Sequence, residues 1–299
     1  MTTEQAAVNG ISITFEDKGP RDAPVILLVM GLGGQLTLWP DEFVDALNAR
    51  GFRTIRYDNR DVGLSTRFDA AGVPNLKWMF VKSLLRLPVR SAYTLADMAA
   101  DGVALLDDLG IARAHIVGVS MGGMISQHIA ARYPDRVLSL TSVMSTTGNP
   151  RLPRAQKEAM QVLTSRPMSG DPEDLIAYSV RAAKVIGSPG YPPDEERLQR
   201  RVRSDFERGW YPQGVARQMA AIVADGDRRP MLKSISAPTL VIHGEGDPLV
   251  PLAGGRDTAD NIPGARLLTI PGMGHDLPLG LVDTLADAIA GHAGAVAAA

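Results

Sequence analysis

The chain has no cysteine. Disulfides, thiolate metal sites and a cysteine nucleophile are therefore excluded. Histidine is scarce, five in 299 residues, so chemistry that needs an imidazole has few candidates. No stretch approaches the ~18 consecutive apolar residues of a membrane-spanning helix. Residues 1–10 show no basic start followed by an apolar run, so no signal peptide is expected. These readings predict a cytoplasmic protein with no integral membrane segment. Neither charge sign dominates: 31 Lys and Arg stand against 33 Asp and Glu. With no long basic run and no nucleic-acid motif, no nucleic-acid partner is expected.

What is present is alternation. Ile11 to Glu16 alternates apolar and polar residues and reads as a half-exposed edge strand. Val25 to Met30 is apolar throughout, as in the middle of a parallel sheet covered on both faces. Strand patterns recur at Thr54–Tyr57, Ile116–Val119, Val137–Met144, Thr239–His243 and Ala265–Ile270. Helical patterns fall between them at Asp41–Arg50, Thr94–Leu109 and Met121–Arg132, and two more follow the last two strands. Strands alternating with helices predict βαβ units and an α/β fold with a mostly parallel sheet. Thr146 to Leu232 breaks the alternation. It has helix-like pieces divided by prolines, among them Pro150, Pro153, Pro167, Pro172, Pro192, Pro193 and Pro212, and no convincing strand. The expected division is a core of residues 1–145 and 233–299 with a helical cap at 146–232. Pro74 to Tyr93 also stands apart, strongly apolar with four basic residues and no acidic one. It reads either as a lid that meets hydrophobic substrates or lipid surfaces, or as a helix packed under the cap or in a homodimer contact.

One bend carries chemistry. Gly118-Val-Ser-Met-Gly122 joins a buried strand to a helix. A serine there sits on a sharp turn, with glycines two positions away on each side where side chains would clash. A hydroxyl needs a base. Of the five histidines, His275 lies in a glycine-rich loop after the last strand; His243 ends the strand before it and could face the site, but is expected rather to pack beside Gly244. Asp247, just after His243, is the expected carboxylate, with Glu245 its competitor. Ser120, Asp247 and His275 would all fall at carboxyl ends of strands, where open α/β sheets bind ligands. The expected oxyanion donors are the Met121 amide and one in the Met30–Gly34 loop, Leu32 ahead of Gly33. Gly31, Gly33, Trp39 and Trp210 are the candidate substrate-binding residues, with core packing the competing role for each tryptophan. Asp58-Asn-Arg-Asp-Val-Gly63 is expected to be structural, Asp58 pairing with Arg60 or bonding backbone groups. No metal or cofactor site is expected.

These motifs, with Leu28-Val-Met-Gly31, Trp39-Pro40, Arg56 to Ser65 and Pro271-Gly-Met-Gly-His275, resemble the α/β-hydrolase superfamily over nearly the whole chain. The likeness is strongest to the esterase branch that includes aclacinomycin methylesterase and related bacterial carboxylesterases. The chain shares that branch's Met-Gly where many members have His-Gly, and its Pro74–Tyr93 segment is longer. The resemblance implies an eight-stranded sheet. It also implies a serine carboxylesterase acting on small to medium hydrophobic esters, because the related epoxide hydrolases and haloalkane dehalogenases carry a carboxylate at the elbow and a serine there implies acyl transfer. Hydrolysis of a C–C or amide bond, perhydrolysis, and an inactive binding protein on the same fold remain the alternatives.

Overall fold

A computed structural model describes residues 3–85, 87–165 and 170–297. Arg86 of the basic segment, residues 166–169 of the expected cap and the chain's extreme residues lie outside that description. Eight strands form one sheet: β1 Glu4–Val8, β2 Ile11–Lys18, β3 Val25–Val29, β4 Arg53–Tyr57, β5 Ala114–Val119, β6 Val137–Val143, β7 Thr239–Gly244 and β8 Arg266–Ile270. Their order is β1-β2-β4-β3-β5-β6-β7-β8. β2 runs antiparallel to both its neighbours, and the other pairings are parallel.

The sequence of β3 explains its central place. Every residue of Val-Ile-Leu-Leu-Val is buried. Successive side chains point to opposite faces. Val25, Leu27 and Val29 enter the layer built with α3 Leu95–Asp108 and α4 Met121–Arg132. Ile26 and Leu28 enter the layer built with α1 Asp41–Ala49 and α11 Val282–Ala297. Each such side chain contributes about 1.5–3 kcal/mol by leaving water. A strand with two apolar faces is stable only where helices cover both.

The edge differs from expectation. β2 is not the outer strand; β1 lies outside it, and Ile13 to Glu16 are buried. The signal for the hairpin was Asn9-Gly10, with φ of 49° and 76° at the two residues. Two consecutive positive φ values are what a tight two-residue hairpin needs.

Between β6 and β7, among the described residues, the chain forms only helices: α5 Lys157–Thr164, α6 Pro172–Ile186, α7 Glu195–Gly209, α8 Pro212–Asp225 and α9 Arg229–Leu232. Ile176, Val180 and Leu198 form a small apolar cluster of their own. The far end is different: Ala221 and Leu232 belong to the main core layer. α2 Leu76–Leu84 precedes α3 and packs on α8, and α10 Leu252–Asn261 follows β7.

Candidate active site

Ser120 follows β5 with φ 55° and ψ −120°, a conformation that costs a non-glycine residue on the order of 1–3 kcal/mol. Its surroundings impose it. The Ser120 amide donates to the Val143 carbonyl at 2.9 Å, and its carbonyl accepts from the Ser145 hydroxyl at 2.8 Å. A Cβ at Gly118 would run into the Gly122 carbonyl oxygen, and one at Gly122 into the Val29 carbonyl oxygen. The glycines are therefore a packing requirement of the turn. Thr94, at the start of α3, spends its hydroxyl on a capping box with Asp97. Ser120, at the start of α4, makes no side-chain cap, which forgoes about 1 kcal/mol of helix stability. Its Oγ is instead 2.9 Å from His275 Nε2.

His275 Nδ1 is 2.7 Å from Asp247 Oδ2. The carboxylate accepts only, so Nδ1 carries the proton and Nε2 is left to accept from the serine hydroxyl. The other carboxylate oxygen of Asp247 accepts from the Leu249 and Val250 amides at 2.9 and 2.8 Å. His243 supports this turn from behind, its Nε2 donating to the Val250 carbonyl at 2.7 Å. Burial holds the His243 imidazole below its usual pKa, against the pull of the Val250 carbonyl and Asp247. Glu245 is exposed and accepts from Thr269 instead of approaching the imidazole. The other three histidines have partners elsewhere: His115 bonds Ser139, His128 bonds Asp225, and His292 bonds the Leu140 and Pro238 carbonyls.

Two residues hold the loop after β3: Asn59, in the turn expected to be structural, and Gln218, which no sequence signal singled out. Asn59 donates to the Met30 carbonyl at 2.9 Å. Gln218, fully buried on α8, accepts from the Gly33 amide at 2.8 Å and donates to the Arg60 carbonyl at 2.8 Å. The Gly33 amide is thus engaged. Among the described residues no backbone or side-chain group takes the Leu32 or Met121 amide. Gly31 lies against the nucleophile, a Cβ there falling 3.1 Å from Ser120 Cβ. The tryptophans are not brought to Ser120 by any described contact. Trp39 is 0% exposed and stacks on Phe43 at 5.5 Å. It is a core residue, because the turn at Leu36–Leu38 drives it beneath α1, and its carbonyl accepts from Arg56 at 2.6 Å. Trp210 is 40% exposed and lies on Phe206 at the end of α7.

The acidic turn is structural: Asp58 bonds backbone groups, as one of the two expectations had it, and does not pair with Arg60. Asp58 accepts from the Leu36 and Leu64 amides and pairs with Arg208 of α7 at 2.8 Å. Arg60 pairs instead with Asp101 through two bonds of 2.6 Å. Asp61 holds Arg217 of α8 at 2.7 and 2.8 Å. Burial pushes the Asp58 carboxyl up, and Arg208 opposes it. A further tie lies at the histidine loop. Ser188 accepts from the Gly274 amide at 2.8 Å and donates to Asp276, while the His275 amide donates to the Ile186 carbonyl at 2.8 Å. Among the described residues no group of three or more acidic or histidine side chains is gathered as for a metal.

The family model for the alpha/beta hydrolase fold matches residues 24–279. Rhodomycin D methylesterase DauP of Streptomyces sp. (strain C5) is 32% identical, the match covering 98% of this chain and 98% of that protein. The 3-oxoadipate enol-lactonase 2 of Acinetobacter baylyi is 26% identical over 84% and 82% of the two chains. Among solved structures, the enol-lactonase from Burkholderia xenovorans LB400 superimposes with a TM-score of 0.71 at 26% identity, covering 97% of this chain and 99% of its own.

Proposed function

We propose, for a chain that belongs to the α/β-hydrolase family and is a carboxylic ester hydrolase, that catalysis runs through an acyl-enzyme on Ser120. The observation that carries this is the chain of two hydrogen bonds, 2.7 and 2.9 Å, from Asp247 through His275 to Ser120 Oγ. Ser120 Oγ attacks the ester carbonyl carbon as its proton passes to His275 Nε2. Asp247 stabilises the imidazolium and keeps the ring's tautomer. The carbonyl oxygen becomes an oxyanion held by the Leu32 and Met121 amides, which have no protein partner among the described residues. Met121 opens α4, whose N-terminal dipole favours that charge. Collapse expels the alkoxide, which takes the proton from Nε2 and leaves as the alcohol. Water then gives its proton to Nε2 and attacks the acyl carbon, and Ser120 leaves reprotonated.

The substrate class follows from the relatives. DauP is named for removing a methyl ester from rhodomycin D, and we assign this chain esters of small alcohols on hydrophobic acids. We take the helices between β6 and β7 as a cap, with residues 146–232 its span and Gln218 its anchor on the oxyanion loop.

The test is turnover of p-nitrophenyl acetate and of aryl methyl esters, with fluorophosphonate labelling in parallel. The wild-type chain is expected to turn over both and to label at Ser120, and Ser120→Ala to do neither. Full turnover in Ser120→Ala overturns the acyl-enzyme. A wild-type chain that neither labels nor turns over esters is an inactive member of the fold.

A further inference from the structure

Among the described residues, most of the exposed large apolar side chains fall in one stretch of the chain. Of the eleven among the described residues, six lie in one stretch of fifteen: Val73, Trp78, Phe80, Val81, Leu85 and Leu87. Single exposed apolar residues are ordinary, whereas a contiguous group marks an interaction surface.

The helix beneath them has a defined orientation. Met79 is buried, and the helix packs against α8. Trp78, Val81 and Leu85 follow at i, i+3 and i+7, one stripe of an α-helix turned away from Met79. The Leu85 amide still bonds the Val81 carbonyl at 3.1 Å, so the helical geometry reaches it. Trp78 is 55% exposed and Leu85 61%. Lys77 and Lys82 border the stripe on its two sides, and the Lys82 ammonium stands 5.8 Å from the Trp78 ring. Residues 74–93 hold four basic residues and no acidic one, in a chain whose net charge is −2. The basic character is therefore local.

We propose that this face docks on an anionic lipid surface. An exposed apolar stripe with an interfacial tryptophan and flanking lysines fits the boundary of a bilayer: the stripe enters the acyl region and the lysines meet anionic headgroups. Charge selects this occupant over a second copy of the chain. A two-fold contact would set the same patch against itself, cation against cation with no acid to offset it. No described helix is long and apolar enough to cross a membrane, so the attachment is peripheral. Its placement connects it to the active site. α2 rests on α8, and α8 sets Val215 against Gly33 and bonds the Gly33 amide through Gln218. A docked enzyme therefore holds the loop after β3 one helix layer from the lipid, where hydrophobic esters partition.

The docking is independent of the esterase reading and is measured without substrate. The full chain is floated with vesicles of phosphatidylglycerol and phosphatidylcholine, and separately with phosphatidylcholine alone. Binding is expected to the anionic vesicles only, to weaken as salt rises, and to fall at least tenfold in Lys77→Glu/Lys82→Glu and in Trp78→Ser/Leu85→Ser. Both variants should keep the wild-type unfolding midpoint. Quenching of tryptophan emission by brominated lipid should vanish in Trp78→Phe. The proposal is overturned if the wild-type chain does not float with anionic vesicles, if it binds both vesicle types alike, or if the charge-reversed variant binds as well as wild type. A dimer that the Trp78→Ser/Leu85→Ser change dissociates, with no vesicle binding, would overturn it in favour of a second copy.

Discussion

The sheet and the helices laid across its end are held by different forces. β3, β5 and their covering helices are joined by two continuous apolar layers. The helices between β6 and β7 have an apolar cluster of three buried residues. Much of their hold on the sheet is through buried polar ties: Arg208 to Asp58, Arg217 to Asp61, Gln218 to Gly33 and Ser188 to Asp276. Apolar layers are indifferent to pH and direction. Polar ties are directional and titratable, and they fix the helices in register on the loops that carry Leu32 and His275. Stability and alignment are thus assigned to different parts of the chain.

The sharpest way to probe the sheet side is to remove the base. His275→Ala should lower kcat by about 10⁴–10⁶-fold on a small ester, as for members of a unit that act together. Circular dichroism should be unchanged. Loss of less than about tenfold would mean that another group takes the Ser120 proton.

Trp39→Ala separates core from cleft. Removing a fully buried tryptophan stacked on Phe43 should cost about 3–5 kcal/mol of unfolding free energy, with KM for a small ester unchanged in the folded fraction. Denaturant unfolding and KM are the measurements. A raised KM at unchanged stability would return Trp39 to the substrate pocket.

Acid should act oppositely on the two regions. Burial depresses the pKa of His115, on β5, from 6.5 to about 4. In that window the unfolded chain binds the extra proton, so stability is fully present above pH 6.5 and falls as pH drops toward 4. The shift is worth about 3 kcal/mol at 1.36 kcal/mol per unit. Burial raises the carboxyls of Asp58, of Asp276 and of Asp205 on α7, which accepts from the Thr37 hydroxyl, above 3.8 where these helices meet the sheet's loops. There the folded chain keeps its protons longer, so their contribution weakens as pH rises through the window above 3.8. From pH 4 to 7 the slope of the urea midpoint against pH should be less positive in His115→Asn than in the wild type. An equal slope in both would remove His115 as the cause.

The smallest effect is the most local. Gln218→Ala frees the Gly33 amide and the Arg60 carbonyl, and should lower kcat about tenfold, or about 1.4 kcal/mol of barrier, with KM little changed. If KM alone rises, Gln218 serves binding and not the alignment of Leu32.

The legibility of the site follows how far apart its parts lie in the chain. Gly118 to Gly122 was readable because the clash that demands glycine arises within one turn and against the adjacent strand. Asp247 and His275 were readable as strand-end positions, and the structure brings them to Ser120. Asn9-Gly10 carries the hairpin signal locally, and it places the sheet's edge one strand beyond the alternating stretch Ile11–Glu16. The partner of Asp58 was not readable: Arg60 is two residues away in sequence, but the pair forms with Arg208 of α7. Nothing in the local pattern around Asp58 refers to that helix.

The sequence by itself determined the strand-turn-helix around Ser120, the alternation that makes the sheet parallel, and the order of serine, aspartate and histidine along it. These follow from short-range sterics and periodicity. Only the tertiary structure decided which loop amide stays free, where Trp39 goes and which cations meet the Asp58 and Asp61 carboxylates. Gln218 reaches Gly33 across 185 residues, and a hydrogen bond is specified by where its two ends meet in space.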